Sequence, residues 1–502
     1  MKKNVCLLLG TASVFTSLLP SCKEKEQKQP NILFAIADDW TWKHSSFNDY
    51  PEISTPHFDR VASEGIYFER AYCNVPSCAP SRATILTGKN GWELDEGANL
   101  WGFLPERFPV YTDLLRKNGY FVGYTGKGWA PGDLKDSGRE KNPAGKPYKT
   151  MLNNPDKKIW SFNNGILNID YAANFKAFLE DKPEGQPFSF WYGGFEPHRG
   201  YDYGIGKRSG KNPDNLIVPE FFPDDSVARN DMLDYLWEVE WFDKHLGKML
   251  KILEERGELE NTLVVVTSDN GMPFPRCKAN LYEFGTHMPL AMMWKAEVKG
   301  GRQVRDFVNF IDFAPTFLDA AGVNIPESMN GRSLMPLLLS SESGQIDPER
   351  DRTITYKERH AWVQPEGDIA PFRALRKDDW LLIWNLKPDM WPAGHIDPQY
   401  NYCSCPFGDV DQSPTKSQIL KLAQQGDSTH YRMAFMKRPE YELYHIEKDP
   451  YQLNNLAEDQ QYQEILDALR RDLKEYLNQT NDPRMKGKGS VFVEAPYYGT
   501  FR

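Results

Sequence analysis

Four short apolar runs in this chain each stop at an unusual set of polar residues. Ile32-Leu33-Phe34-Ala35-Ile36-Ala37 runs into Asp38-Asp39, and Phe121-Val122-Gly123-Tyr124 passes through Thr125-Gly126 into Lys127. Phe188-Ser189-Phe190-Trp191-Tyr192 precedes Glu196-Pro197-His198-Arg199, and Leu263-Val264-Val265-Val266-Thr267 ends at Ser268-Asp269-Asn270-Gly271. Such continuous apolar runs read as strands buried on both faces. Helical patterns lie between them, at residues 57–63, 110–117 and 227–256, the last amphipathic and ended by Gly257. Alternating strands and helices call for a mostly parallel sheet covered on both faces, in which ligands gather at the carboxyl ends of the strands. The four strand ends would then bring two aspartates, an Asp-Asn pair, a lysine and a histidine to one rim. Adjacent carboxylates are costly to bury without a counter-charge, so a cation is expected there.

Beyond a polar stretch at residues 339–352, residues 353–356 read as a last strand of the large sheet. Residues 372–386 then form a hairpin with Lys377-Asp378-Asp379 as its turn, followed by a strand at 441–446 and an amphipathic helix at 462–477. The division expected is a catalytic domain at 31–365 and a smaller α+β unit with an antiparallel sheet at 366–502. The start of the chain reads as an address label. Lys2 and Lys3 precede a mostly apolar stretch too short and interrupted to span a membrane, and Leu19-Pro20-Ser21-Cys22 resembles a bacterial lipobox. This reading gives a lipoprotein signal peptide at 1–21, a lipid on Cys22 and a polar tether at 22–30. It implies a protein of the bacterial cell envelope, on the periplasmic side or the outer-membrane surface, touching the membrane through its lipid alone.

With 60 Lys+Arg against 70 Asp+Glu, the formal charge is −10, which argues against nucleic acid as a partner. Seven cysteines in 502 residues do not make a disulfide scaffold. Cys403 and Cys405 are too close for an easy mutual disulfide and lack zinc-ligand spacing; any pairing among Cys73, Cys277, Cys403 and Cys405 is left open.

The sharpest local pattern is Cys78-Ala79-Pro80-Ser81-Arg82, followed by Ala83-Thr84-Ile85-Leu86-Thr87-Gly88. Cys78 is expected at a helix start, where free N–H groups favour an anion, with Arg82 one turn on along the same face. Asp38, Asp39, Asp269 and Asn270 offer oxygen ligands only, which favours Ca²⁺ or Mg²⁺ over zinc. The Cys78 pattern resembles the signature of the type I, formylglycine-dependent sulfatase family. Asp38-Asp39, Thr55-Pro56-His57-Phe58-Asp59, Gly126-Lys127, Ser268-Asp269-Asn270-Gly271, Asp312-Phe313-Ala314-Pro315-Thr316 and Glu442-Leu443-Tyr444-His445-Ile446-Glu447-Lys448-Asp449-Pro450 extend the resemblance in the family's order.

The resemblance implies an alkaline-phosphatase-like α/β/α sandwich with a C-terminal α+β subdomain. It implies that a separate maturation enzyme oxidises Cys78 to formylglycine (3-oxoalanine), whose hydrate attacks sulfur and later eliminates sulfate. It further implies Ca²⁺, with Mg²⁺ second, held by Asp38, Asp39, the residue-78 side chain, Asp269 and Asn270. Arg82 would hold the nucleophile, Lys127 and Lys278 would bind sulfate, and His198 would protonate the leaving group. Asp269-Asn270-Gly271-Met272-Pro273-Phe274-Pro275, Asn280-Leu281-Tyr282 and Pro197-His198-Arg199 resemble the sulfamidase (heparan N-sulfatase) branch, pointing to N-sulfoglucosamine. Two positions depart from it: Trp129 stands where that branch has His, and Lys278 where Arg is expected. Trp129, as a surface to stack on sugar, with Arg199 and His287, completes the expected substrate contacts. A carbohydrate O-sulfatase, for example for glucosamine 6-O-sulfate, and a phosphodiesterase of the same superfold are the alternatives.

Overall fold

The four apolar runs form strands β1 (Asn31–Ala37), β2 (Phe121–Gly126), β3 (Phe188–Gly193) and β4 (Thr262–Ser268). They lie in the order β2-β3-β1-β4, all parallel. In this computed structural model, which describes Met1 and residues 29–500, the sheet has eight strands among the described residues. Lys146–Pro147 extends it beyond β2, and Ala291–Met293, Ile66–Phe68 and Arg302–Val304 extend it beyond β4. Ala291–Met293 runs antiparallel to both of its neighbours, so the sheet is mostly parallel. The expected signal peptide, Cys22 and nearly all of the tether lie outside the described residues.

The pleat explains why these runs show no polar alternation. Leu33, Ala35 and Ala37 pack into one apolar layer with the helices Pro56–Glu64, Tyr171–Asp181 and Ser226–Glu255. Ile32, Phe34 and Ile36 pack into the opposite layer with Cys78–Thr87, Tyr111–Lys117 and Phe313–Ala320. Both faces are therefore core, and each fully buried Leu, Ile or Phe contributes about 1.5–3 kcal/mol. Asp225 caps the long helix by accepting from the N–H groups of Val227 and Ala228. Gly257, at φ +66°, closes it: the Gly257 and Glu258 N–H groups donate to the Glu254 and Leu253 carbonyls.

The C-terminal unit is a four-stranded antiparallel sheet: β5 (Arg352–Lys357), β6 (Phe372–Lys377), β7 (Trp380–Asn385) and β8 (Tyr441–His445). The helix Gln463–Gln479 covers it with Leu466, Leu469, Leu473 and Leu477. The strand read at 353–356 as the edge of the large sheet is instead the first strand here. It pairs with β6 from Arg352↔Lys377 to Lys357↔Phe372. Its apolar pattern suits either sheet, and the hairpin that follows supplies the open edge that captures it. A second correction concerns Cys403 and Cys405, which form a disulfide. Ser404 takes φ +50°, folding the backbone so that the two Cα atoms lie 5.2 Å apart, within disulfide range. Cys73, Cys78 and Cys277 are free and buried.

Candidate active site

Cys78 is the first residue of the helix Cys78–Thr87, and extended Ser77 precedes it. Pro80 is tolerated because the first-turn N–H groups have no helical acceptor. Gly88 ends the helix at φ +63°, and every side chain from Cys78 to Thr87 is buried. This short, wholly internal helix points its first turn at the carboxyl ends of β1 and β4.

The polar residues after those strands meet it there. The Cys78 Sγ–H lies 3.3 Å from Asp38 Oδ1 and 3.8 Å from Asp39 Oδ1. Asp269 joins the same cluster, its ligand atom within 4.8 Å of those of Asp38, Asp39 and Cys78. Asp39 adopts φ +78°, a conformation costing a non-glycine residue about 1–3 kcal/mol. Its N–H donates to Asp269 Oδ1 at 3.1 Å, tying the two strand ends together. Asn270 Nδ2 donates to Asp39 Oδ1 at 2.6 Å. The buried Asn270 Oδ1 has no hydrogen-bond partner among the described residues.

Three cations face these acids. Lys127 Nζ donates to Asp38 Oδ2 at 2.5 Å, and Lys278 Nζ donates to Asp39 Oδ2 at 2.8 Å. Arg82 Nε donates to Asp269 Oδ2 at 2.8 Å, while Nη1 holds the backbone carbonyls of Lys127 and Gly128 at 2.7 and 3.2 Å. Arg82 Nη2, 3.8 Å from Asp38 Oδ1, has no hydrogen-bond partner among the described residues. His198 follows β3. Its Nδ1–H donates to the Arg199 carbonyl at 2.7 Å, which turns Nε2 toward Asp39 Oδ2, 4.0 Å away.

The electrostatics follow from burial and these pairings. Burial opposes ionisation of Asp38, yet Lys127, His198, Arg82 and Lys278 hold its carboxyl well below the usual range. Burial and the adjacent Asp38 push Asp269 up. Burial works against the charge of Lys127 and Lys278, but Asp38 and Asp39 respectively keep both ammonium groups charged. Burial, then Asp38, pushes the Cys78 thiol well above its ordinary value, so the sulfur carries its proton. Three clustered carboxylates and a free amide oxygen, with the His198 ring at the edge of the cluster, suit a hard divalent cation.

The cluster floors a cavity of about 540 Å³. Lys127, His198, Arg199 and Lys278 line it with Asp38 and Cys78, and Trp101, Trp160, Phe162 and Phe195 form its outer aromatic wall. The C-terminal half closes one side with His360, Ala361, Tyr402 and Asp411. His360 Nδ1 and Ser77 Oγ are 2.9 Å apart at the base of the Cys78 helix, and burial pushes His360 down to about 4, so it is neutral near pH 7. None of these C-terminal residues was foreseen. They sit in irregular segments with no local pattern, and only their place in the fold reveals them.

Of the three expected substrate contacts, Trp129 and His287 lie away from the cavity and Arg199 lines it. Trp129 is buried in the apolar layer beneath the sheet, with its backbone clasped to the Asn142 amide, and does not line the cavity. His287 braces the fold instead: Nδ1 is 2.8 Å from Glu283, Nε2 is 2.8 Å from the Glu69 carbonyl, and the ring stacks on Trp42 and Tyr72. Arg199 reaches the cavity wall, but Asp231 takes its guanidinium in a two-pronged pair at 2.7 and 3.0 Å and Pro273 accepts from Nε. Its role there is to hold the wall.

Comparison with known proteins agrees with this geometry. The sulfatase family model matches residues 30–323, and a model described as N-sulphoglucosamine sulphohydrolase, C-terminal, matches residues 277–397. The chain is 28% identical to N-sulphoglucosamine sulphohydrolase of Homo sapiens, over 92% of this chain and 93% of that protein. It is 25% identical to N-acetylglucosamine-6-O-sulfatase of Bacteroides thetaiotaomicron, over 85% of this chain and 91% of that one. A structure solved in complex with its substrate D-glucosamine-2-N,6-O-disulfate shares the fold, with TM-score 0.64 at 21% identity, covering 91% of this chain and 99% of that chain.

Proposed function

This chain belongs to the sulfatase family, and from that premise we propose that it hydrolyses sulfate from sulfated glycan sugars, with N-sulfoglucosamine of the heparan or heparin type preferred. The observation that carries the reaction is the convergence of Arg82, Lys127 and Lys278 with three carboxylates around Cys78 at the floor of one cavity. The sugar is supported by the similarity to N-sulphoglucosamine sulphohydrolase, which runs through both halves of the chain.

Formylglycine at position 78, made by a separate maturation enzyme, would supply an aldehyde hydrate as nucleophile, which an unmodified, protonated thiol does not. Asp38, Asp39, Asp269 and Asn270, with residue 78 alongside, would hold a divalent cation, Ca²⁺ before Mg²⁺, that supplies Lewis-acid charge at the floor. The chain's own side chains do the remaining work. Lys127 and Lys278 approach the sulfo group from two sides and neutralise its oxygens. Arg82 Nη2, with no hydrogen-bond acceptor among the described residues, can donate to an oxygen on residue 78. His198, fixed by its Nδ1–H bond, presents Nε2 to deliver a proton to the departing nitrogen. With Trp129 packed in the core, His198 acts without the second histidine of the sulfamidase branch.

A panel of defined sugars tests this reading. N-sulfoglucosamine should release sulfate fastest. Release from O-sulfated members alone would replace it with the second reading, a carbohydrate O-sulfatase, which the similarity to the N-acetylglucosamine-6-O-sulfatase favours. Mass spectrometry of the Cys78 peptide should show the aldehyde. The amino-terminal sequence supports export and a lipid on Cys22, with residence in the bacterial cell envelope. Cys22→Ala should then move the protein from the membrane fraction to the soluble fraction.

A further inference from the structure

Asp411 is an anomaly in a pocket built to receive an anion. Its carboxylate lines the cavity and lies 3.5 Å from Lys278 Nζ, one of the two proposed sulfate-binding ammonium groups. The contact is an ion pair without hydrogen-bond geometry. Asp411 Oδ2 is closed off from solvent and has no hydrogen-bond partner among the described residues, although 27% of the side chain is exposed. A negative group beside a sulfo site weakens anion binding, and a buried acceptor whose close cation lies outside hydrogen-bond geometry is costly to keep. A donor brought by the substrate to the exposed part of this carboxylate offsets that cost.

The carboxylate is also rigidly aimed. Asp409, two residues earlier, pairs with Lys357 at 2.6 Å and accepts from the Ala361 N–H at 3.0 Å. Lys416 Nζ donates to the Phe407 and Val410 carbonyls at 2.9 and 2.8 Å, and the Phe407 ring stacks on Phe435 at 4.4 Å. Irregular backbone is thus pinned on both sides of the cavity-facing residue, which is how a specificity group is kept in place. Lys278, His198, His360 and Arg199 overcome the effect of burial and hold the carboxyl down at about 2, so it is ionised whenever substrate arrives.

The two candidate substrate classes differ at one atom. A sulfamate carries an N–H next to sulfur, whereas the bridging oxygen of a sulfate ester carries no hydrogen and turns lone pairs outward. We propose that Asp411 accepts a hydrogen bond from the sulfamate N–H and thereby selects N-sulfo over O-sulfo sugars. In the cleavage an oxygen of the residue-78 hydrate would bond to sulfur as the S–N electron pair passes to nitrogen, which takes its proton from His198 Nε2. Asp411 transfers no proton and stays paired with the resulting amine. This inference rests on the N-sulfoglucosamine reading above.

The test compares kcat/KM for N-sulfoglucosamine and N-acetylglucosamine 6-O-sulfate in the wild type and Asp411→Asn. If the O-sulfated sugar is not turned over, its inhibition constant takes the place of kcat/KM. The expected result is a drop of about 100-fold on the N-sulfo sugar, with the N-to-O ratio falling tenfold or more. Inhibition by inorganic sulfate should tighten, since a like charge has been removed. A ratio that changes less than tenfold overturns the proposal, and so does weakened sulfate inhibition, which would mark Asp411 as a prop for the pocket. Asp411→Ser, read by the same ratio, covers misfolding of the first variant. A wild type that desulfates O-sulfo sugars only would overturn the substrate reading itself, before any variant is made.

Discussion

Two networks of buried charge in this molecule look alike in composition and differ in everything else. At the rim of the large sheet, Asp38, Asp39 and Asp269 face Lys127, Lys278 and Arg82, and the set opens onto a cavity. In the C-terminal unit, Arg373 pairs with Asp482 at 2.6 Å and Glu358 at 2.8 Å, and Arg484 Nε reaches Glu358 at 2.8 Å. Arg484 touches a separate surface cavity, but among the described residues none of these four side chains has a buried polar atom without a partner. The first leaves Arg82 Nη2 and Asn270 Oδ1 without hydrogen-bond partners among the described residues. Buried charge alone therefore marks structure as readily as chemistry; unsatisfied atoms within a cluster that reaches a cavity make the distinction.

The sharpest way to break this contrast is at residue 78. Cys78→Ala and Cys78→Ser should lower sulfate release by about 10⁵-fold or more, equivalent to roughly 7 kcal/mol of barrier. Their circular dichroism and melting temperature should stay near wild type, because few atoms are removed from a packed site. Full turnover by either variant would remove the nucleophile from position 78. Arg373→Met should do the reverse. Breaking a buried charge network by removing one partner typically costs about 3–5 kcal/mol. Denaturant unfolding should show that loss, while kcat of the protein that remains folded should hold.

Cation removal comes next. If the rim holds a divalent ion, chelation should lower the melting temperature, and Ca²⁺ should restore it. The stabilisation is about 2.7 kcal/mol when the free ion is at 100 times its dissociation constant. Asp269→Asn should abolish that response, while Arg373→Met should keep it. A melting curve indifferent to chelator in the wild type would separate the carboxylate cluster from metal binding.

The same contrast explains what was legible in the sequence. The rim residues were readable because each follows a continuous apolar run or sits in the Cys78 motif, so strand ends and helix start fix their positions locally. Lys278 was readable only through the family pattern. Asp411 and His360 were not readable, since they lie in loops that tertiary contacts alone bring to the cavity. Trp129 stands in a slot that relatives fill with His, and His287 lies just past Lys278, but neither position brings the side chain to the cavity. Trp129 lies just past the turn after β2 and points into the core. His287 closes a short helical turn and spends both ring nitrogens on the fold. The Cys403–Cys405 bridge depends on the φ +50° at Ser404, which composition does not announce.

His287 belongs to a third charged cluster, which joins the two units and offers a pH test. Glu283 receives Arg376 Nε from β6 at 3.0 Å, with His287 Nδ1 2.8 Å away and the Tyr72 hydroxyl at 3.1 Å. Burial alone would raise its carboxyl, but Arg376 and then His287 bring it down to about 2, from an ordinary 4.5. A depressed acid stabilises the fold fully above its unfolded value and loses that contribution as pH falls through the folded value. Unfolding free energy should therefore decline between about pH 4.5 and 2, by about 3 kcal/mol from this group. Glu283→Gln should flatten that part of the curve at a lower plateau. An unchanged acid slope in the variant would assign the pH dependence elsewhere.

The smallest expected effect lies at the mouth of the cavity, where chemistry gives way to grip. Trp160 is 68% exposed and Phe162 55% exposed, yet both line the cavity. Trp160 meets Phe195 edge-on at 5.6 Å, and Lys149 lines the same wall. Exposed rings beside a cation suit the apolar face of a sugar bearing negative charge. Neither ring reaches the charged floor, so their loss should alter binding in the ground state and the transition state equally. Trp160→Ala should raise KM for a sulfated disaccharide about tenfold with kcat held, the signature of uniform binding. The monosaccharide, which fills only the floor, should respond less. A fall in kcat instead would mean that the mouth positions the sulfo group, and the separation between a rigid reactive floor and a tolerant rim would fail.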